Sequence, residues 1–434
     1  MNHENTLEYA QSMDEQDPLK QFRKKFFIPQ KKGRDTIYFT GNSLGLQPRS
    51  TRDYMDRELK VWAEKAVEGH FDGDDPWYSY HEKLSRQLCP IVGAQANEIS
   101  VMSQLTVNLH LLLASFYRPD QKRFKIICEA KAFPSDQYAL DSQVRLHGLD
   151  PRQVIIEVKP RSGEQTLHIN DIVSTIKENA DELSLVLFGG INYYTGQVMP
   201  MKAIAEAAHK AGAFAGFDLA HAAGNIELHL HDWKVDFACW CSYKYLNSGP
   251  GGIAGIYIHE KHAVNTQLPR LAGWWGYEKE TRFEMKPIFQ PIASADGWQL
   301  SNGPVLLLAA HRAALEIFQE AGMERLLRKT KLLTGYLFYL LNEINGDQKQ
   351  KRIELITPQG ENEHGCQVSM FMLEKGKQIF EALTEAGVVA DWREPNVIRV
   401  APVPLYNTFE DVWRFGSIIK NILNEKAVPL KEGV

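Results

Sequence analysis

From residue 105 to residue 258, short apolar runs alternate with stretches of helical periodicity, and no other feature limits the fold so tightly. The runs KRFKIICEA (122–130), QVIIEV (153–158), LSLVLFGG (183–190), Ala213 to Phe217, Phe237 to Cys241 and Ile253 to Ile258 read as strands. LTVNLHLLLASFY (105–117) is apolar at helical spacing, and AFPSDQYALDSQVRLHG (132–148) is a turn feeding a helix. PMKAIAEAAHKAG (200–212) is a helix with proline in its first turn and glycine as its stop. Apolar strands with helices between them predict an α/β fold, a mostly parallel sheet buried on both faces.

Two of these strands end on chemically useful residues. The run to Phe217 ends on Asp218, and the run to Cys241 ends on Ser242-Tyr243-Lys244. Ligands of open α/β sheets bind at strand ends. Pyridoxal phosphate chemistry needs such a pair: a lysine that holds the cofactor as a Schiff base and an aspartate that keeps the pyridine nitrogen protonated. Taken alone, the lysine also reads as a solvated strand end and the aspartate as a helix cap.

Other residues fit a cofactor site without demanding one. Leu105 and Thr106 open a helix, where backbone N–H groups and a hydroxyl suit a phosphate; an ordinary N-cap fits equally. Phe133 could stack on a planar ring, while Pro134, Ser135 and Asp136 follow it in a turn and suit helix capping. His221 lies three residues after Asp218 and shares its side if helix begins there. Tyr243 points away from Lys244 along an extended chain and reaches a phosphate only if the chain turns. Arg399, flanked by apolar residues on an expected strand, needs an anion: a substrate carboxylate or a structural partner. The loop TGNSLGLQP (40–48) brings backbone close to something. His229, His231, Asp232 and Asp236 form the one metal-like cluster, without H-E-x-x-H spacing, and no metal is expected.

Asn302-Gly303-Pro304 precedes two long helical stretches and the charged run 346–352. The remainder reads strand, strand, helix, strand, strand, helix. The expected organisation is an N-terminal segment (1–50), a large α/β domain (51–309) and a small α+β domain (310–434) that the N-terminal segment joins. With 434 residues, 44% of them hydrophobic, the chain can bury a core of that extent. Net charge of −5 gives no footprint for nucleic acid or an anionic membrane. No apolar run reaches membrane-spanning length and the N-terminus has no signal core, so a cytoplasmic location is expected. Five irregularly spaced cysteines fit reduced thiols; Cys239 and Cys241 fit core packing.

YFTGNSLGLQP, SQLTVNLHLLL, EAKAFPSDQYA, NYYTGQV, GFDLAHAAGN, HDWKVDFACWCSYKYLNSGPGGIAG, AGWWG and IRVAPVPLYN together resemble the kynureninase family, of the type I aspartate-aminotransferase fold. The resemblance spans roughly residues 20 to 425 and is far more specific than the Asp–Lys pair. It implies a mostly parallel seven-stranded sheet in the large domain and pyridoxal 5'-phosphate on Lys244. Lys244 would also shuttle the Cα proton, with Asp218 on the pyridinium nitrogen and Phe133 stacked on the ring. Leu105, Thr106, Pro134, Ser135, Asp136, His221 and Tyr243 would contact the cofactor. Trp274 and Asn302 would approach phosphate and substrate from the second subunit of a homodimer. Arg399 would bind the substrate carboxylate, with Ser43 and His70 lining an aromatic pocket. Gly189 stands where some relatives have serine, which puts one cofactor contact in doubt. The implied reaction is hydrolysis of L-kynurenine, or its 3-hydroxy form, to anthranilate or 3-hydroxyanthranilate and L-alanine, with Tyr243 as a proton donor.

Alternatives remain within and beyond that fold. A cysteine desulfurase needs an exposed nucleophilic cysteine, and Cys366 reads as strand packing. An aminotransferase, a protein that binds without turnover and a zinc hydrolase on the His229 cluster are the others. The aromatic loops Trp77-Tyr78 and Trp274-Trp275 favour an aryl substrate.

Overall fold

The computed structural model describes residues 3–348 and 350–424. The expected N-terminal segment, the charged run and the C-terminal domain therefore include positions 1–2, 349 and 425–434 that lie outside the described residues. The chain divides into two compact units: Leu44–Tyr193 with Gln197–Met323, and Met1–Ser43 with Tyr194–Gly196 and Glu324–Val434. These divisions lie near, not at, the boundaries of 50 and 310 that the pattern suggests.

The larger unit is built on seven strands: β1 (Ile99–Val101), β2 (Lys125–Glu129), β3 (Ile155–Val158), β4 (Leu183–Gly189), β5 (Phe214–Asp218), β6 (Phe237–Trp240) and β7 (Gly255–Ile258). Their order is β1-β7-β6-β5-β4-β2-β3. Pairings among β6, β5, β4, β2 and β3 are parallel. β7 runs antiparallel to both β1 and β6, because its connection from β6 is a turn and not a helical crossover. All the parallel strands therefore end on one edge of the sheet, and Glu129, Gly189 and Asp218 are the last residues of β2, β4 and β5.

The helix Leu105–Phe116 is apolar on most sides because it is enclosed; Leu109, Leu112, Leu113 and Phe116 are fully buried, packed with Phe237 and Ile256 of the sheet. Two sequence readings shift at their edges. Gln153 and Val154 are helical, because Asp150 caps the turn through the Arg152 N–H and Pro151 occupies its first position. Ile253 and Ala254 precede β7 instead of joining it, although Ala254 still donates to the Ser103 carbonyl.

The smaller unit carries an antiparallel four-stranded sheet in the order Ile353–Leu355, Val368–Met372, Val397–Val400, Asp391–Arg393. Helices Gly376–Glu385 and Phe409–Asn424 supply the apolar faces of Leu383, Phe409, Val412, Phe415 and Ile419 to its core. The N-terminal segment belongs here. Ile37–Tyr38 pairs in parallel with Val388–Val389, and Asp14 accepts the Phe409 and Glu410 N–H groups at 2.7 and 2.9 Å, capping the last helix. Lys329 and Asp17 form a buried ion pair at 2.7 Å. Among the described residues no helix is long and apolar enough to cross a membrane.

Candidate active site

A pocket opens in the larger unit where the parallel strands end. Its lining includes Leu105, Thr106, Phe133, Ser135, Asp136, Asp218, His221, Tyr243 and Lys244. These residues come from four separate stretches of the chain and meet in one place. Lys244 follows β6 after a turn, and its Nζ lies 3.1 Å from His221 Nε2 and 5.9 Å from the Phe133 ring centroid.

The turn that carries Lys244 is held by close backbone packing. Gly45 donates to the Tyr243 carbonyl at 2.8 Å, and a Cβ at Gly45 would sit 2.3 Å from the Lys244 carbonyl oxygen. The glycine-rich loop at 40–48 therefore does bring backbone close to something, and that something is the lysine turn. Asn247 adopts a left-handed conformation with φ of 54° in the same turn. This turn also overrides the alternation of an extended chain, so Tyr243 and Lys244 both line the pocket. Tyr243 donates to the Cys241 thiol, and burial pushes its phenol well above the usual tyrosine range.

Asp218 ends β5 fully enclosed, with Oδ1 accepting the Ala220 N–H at 2.7 Å. No helix begins there: residues 219–224 turn, with Ala222 and Ala223 donating to the Leu219 carbonyl. His221 reaches the pocket by this turn and not by helical spacing. Asp136 is buried against Asp218. Burial first, and then the Asp218 charge, push the Asp136 carboxyl well above the carboxylate range. Burial also raises Asp218, opposed by Lys244 and the Ala220 N–H.

Phe133 lines the pocket with 43% of its surface exposed, in a T-shaped contact with Tyr193 at 5.3 Å between ring centroids. Pro134 does not line the pocket; it is the first residue of the helix Pro134–Leu146, where its missing N–H costs nothing. His70, Trp274 and Asn302 are not part of the lining either. His70 bonds the Val67 carbonyl and packs edge-on to Trp77, Trp274 is 46% exposed, and Asn302 is exposed. Ser43 and Arg399 belong to the smaller unit, where both bond one carboxylate. Ser43 Oγ donates to Asp391 Oδ2 at 2.6 Å, and the buried Arg399 guanidinium donates to the same oxygen.

Five lining residues escape the sequence reading of the site: Glu129, Ile191, Tyr193, Ala220 and Cys241; Gly189 lines it as well. Glu129 had a legible signal, since KIICE ends an apolar run on an acid as GFD does.

The His229–Asp236 cluster comes apart in the fold. His229 pairs with Glu227, His231 with Glu98, and Asp236 with His209, His262 and Lys261. Glu98, His231 and His259 do approach one another. Their ligand atoms already serve the chain: Glu98 Oε1 accepts the Glu260 N–H at 2.8 Å, and His259 Nδ1 accepts the Lys261 N–H at 3.2 Å. Cys366 is fully buried, and burial pushes its thiol up to about 12, which suits packing and not a nucleophile.

The fold is that of cysteine desulfurases and their kin. A cysteine desulfurase of Thermococcus onnurineus superposes with a TM-score of 0.73 at 18% identity, covering 89% of this chain and 94% of that one. The cysteine desulfurase CsdA of Escherichia coli gives 0.73 at 16% identity, covering 93% and 98%. Within this architecture a lysine and an aspartate that follow or end strands line one pocket. Sequence similarity then narrows the family. The chain is 56% identical to the kynureninase of Flavobacterium psychrophilum over 420 residues, covering 97% of this chain and 99% of that protein. It is 50% identical to the kynureninase of Rattus norvegicus over 433 residues, covering 96% and 93%. Residues 326–419 match the kynureninase C-terminal domain model. The chain belongs to the kynureninase family.

The pocket suits pyridoxal 5'-phosphate. It offers an amine, an enclosed carboxylate, an apolar ring face that no side chain covers fully, and a helix N-terminus at Leu105 and Thr106.

Proposed function

We propose that this chain hydrolyses L-kynurenine, 3-hydroxy-L-kynurenine or both, adding water at the γ-carbonyl and breaking the Cβ–Cγ bond to release the anthranilate and L-alanine. The observation that carries this reading is 56% identity across 97% of the chain, combined with Lys244 and Asp218 in one pocket. Pyridoxal 5'-phosphate, bound there, supplies an electron sink for the carbanion left by bond breaking.

The chain's residues take these parts. Lys244 holds the cofactor covalently, is displaced by the substrate amine, and then carries the Cα proton on Nζ. His221, at 3.1 Å, lies beside that amine. Asp218 pairs with the ring nitrogen, and Asp136 lines the pocket with it. Phe133 covers one ring face, and Leu105, Thr106 and Ser135 meet the cofactor's polar edge. Tyr243 supplies or relays a proton to the leaving fragment.

Arg399 clamps the substrate α-carboxylate, with Asp391 fixing the plane of its fork and Ser43 beside it. Arg399→Lys keeps the charge opposite Asp391 but loses the fork. It is expected to raise KM for the amino acid about tenfold or more while kcat falls less, as suits a charge-assisted contact. An unchanged KM would remove Arg399 from substrate binding.

The protein acts as a homodimer, and the second copy brings Trp274, Asn302 and His70 to the site. Support comes from the exposed large apolar side chains Phe71, Trp274, Phe283, Met285 and Ile288, of which Phe71 and Trp274 both pack on Phe283. Mixing inactive Lys244→Ala and Trp274→Ala proteins under subunit exchange is expected to restore part of the activity. Two inactive variants that never complement would contradict a shared site.

The reaction itself is tested against its main competitor. Cofactor-loaded protein given L-kynurenine, 3-hydroxy-L-kynurenine or L-cysteine should release an anthranilate and no sulfide; sulfide release without an anthranilate would transfer the chain to the desulfurase reading.

A further inference from the structure

Glu129 is the enclosed acid at the end of β2, 4% exposed and part of the pocket lining. Its two oxygens face the segment that leaves β4. Oε1 accepts the Gly189 N–H at 3.1 Å, and Oε2 accepts from Asn192 Nδ2 at 2.8 Å. A Cβ at Gly189 would lie 2.9 Å from Oε1, so a larger residue there would shift the carboxylate. The segment it holds carries Ile191 and Tyr193, both in the lining, and the Tyr193 and Phe133 rings meet at 83° in a T-shaped contact.

We propose that Glu129 is a positioning residue for the cofactor: by tying Gly189 and Asn192 to the end of β2, it fixes Tyr193 and through it the plane of the Phe133 ring. Nothing on its own strand needs this carboxylate. A buried acid with two donors from one neighbouring segment is a costly way to close a turn, since burial disfavours its charge. The arrangement makes sense if the closed turn sets a surface that must be flat and fixed. An aromatic contact has a preferred ring geometry, and a fixed Phe133 plane keeps it.

The inference rests on the reading that pyridoxal 5'-phosphate stacks on Phe133. The experiment titrates cofactor-free protein with pyridoxal 5'-phosphate and records the visible circular dichroism of the bound form. Parent, Glu129→Ala, Glu129→Gln and Asn192→Ala are compared, together with the Glu129→Ala/Asn192→Ala pair. Expected are a Kd raised at least about tenfold and an altered visible circular dichroism in Glu129→Ala. Asn192→Ala should reproduce part of both effects, and the double variant should show less than their sum. Glu129→Gln, which keeps one acceptor, should fall between parent and Glu129→Ala.

A purely structural role would lower the melting temperature of the cofactor-free protein while leaving Kd and dichroism unchanged; that outcome overturns the proposal. Additive effects of Glu129→Ala and Asn192→Ala would overturn it too, since the two residues would not act through one bond. If the parent itself binds no pyridoxal 5'-phosphate, the cofactor reading falls and this inference with it, a result distinct from a parent that binds and a Glu129→Ala that binds equally well.

Discussion

Lys244→Ala is expected to lower turnover by on the order of 10³-fold or more, because it removes both the covalent hold and the proton carrier at Cα. Loss of the lysine also removes a charge that favours the ionised form of Asp218. Two readouts separate these losses. Borohydride treatment of the loaded parent should fix the cofactor to the chain at Lys244, seen as a mass increase on the peptide containing it. The variant should show no such increase. Adding a small primary amine should restore a little proton transfer without restoring the covalent attachment. Tyr243→Phe makes the contrasting case: it keeps the borohydride-trapped attachment but loses turnover. A Tyr243→Phe protein with parental turnover would remove the phenol from the proton path.

The second large effect concerns Asp218. Asp218→Ala removes the carboxylate that closes β5. Asp136 remains, with a carboxyl that burial raises well above the carboxylate range. A neutral carboxyl cannot hold a ring nitrogen protonated as a carboxylate does. Turnover should fall by on the order of 10²-fold or more, the scale on which removing one electrostatic stabiliser acts. Cofactor affinity should fall as well. Asp218→Glu should recover less than half the loss, since its longer arm cannot keep the 2.7 Å bond to the Ala220 N–H. Parental kcat in Asp218→Ala would mean that another group protonates the ring.

The sheet and the Lys244–Asp218 pair were legible because apolar runs that end on charged residues are a local pattern. The same pattern marks Glu129, but its use depends on Gly189 and Asn192, some sixty positions on, and no spacing reveals that. His221 lines the pocket by way of a turn, where helical spacing after Asp218 was one way to place it. The residues His229 to Asp236 are close only in sequence: the chain turns at Trp233 and Lys234, sending His231 to Glu98 and Asp236 to His209. Trp274, Asn302 and His70 were named by resemblance alone, and none of them lines the pocket of a single chain.

The measurement that bears most directly on the account is stoichiometric. Purified protein loaded with pyridoxal 5'-phosphate is given L-kynurenine and, separately, 3-hydroxy-L-kynurenine, and both the aryl acid and alanine are quantified over time. The account predicts an anthranilate and L-alanine in equal amounts, with neither formed by Lys244→Ala. Alanine without an aryl acid, or no product from either substrate despite bound cofactor, would contradict it.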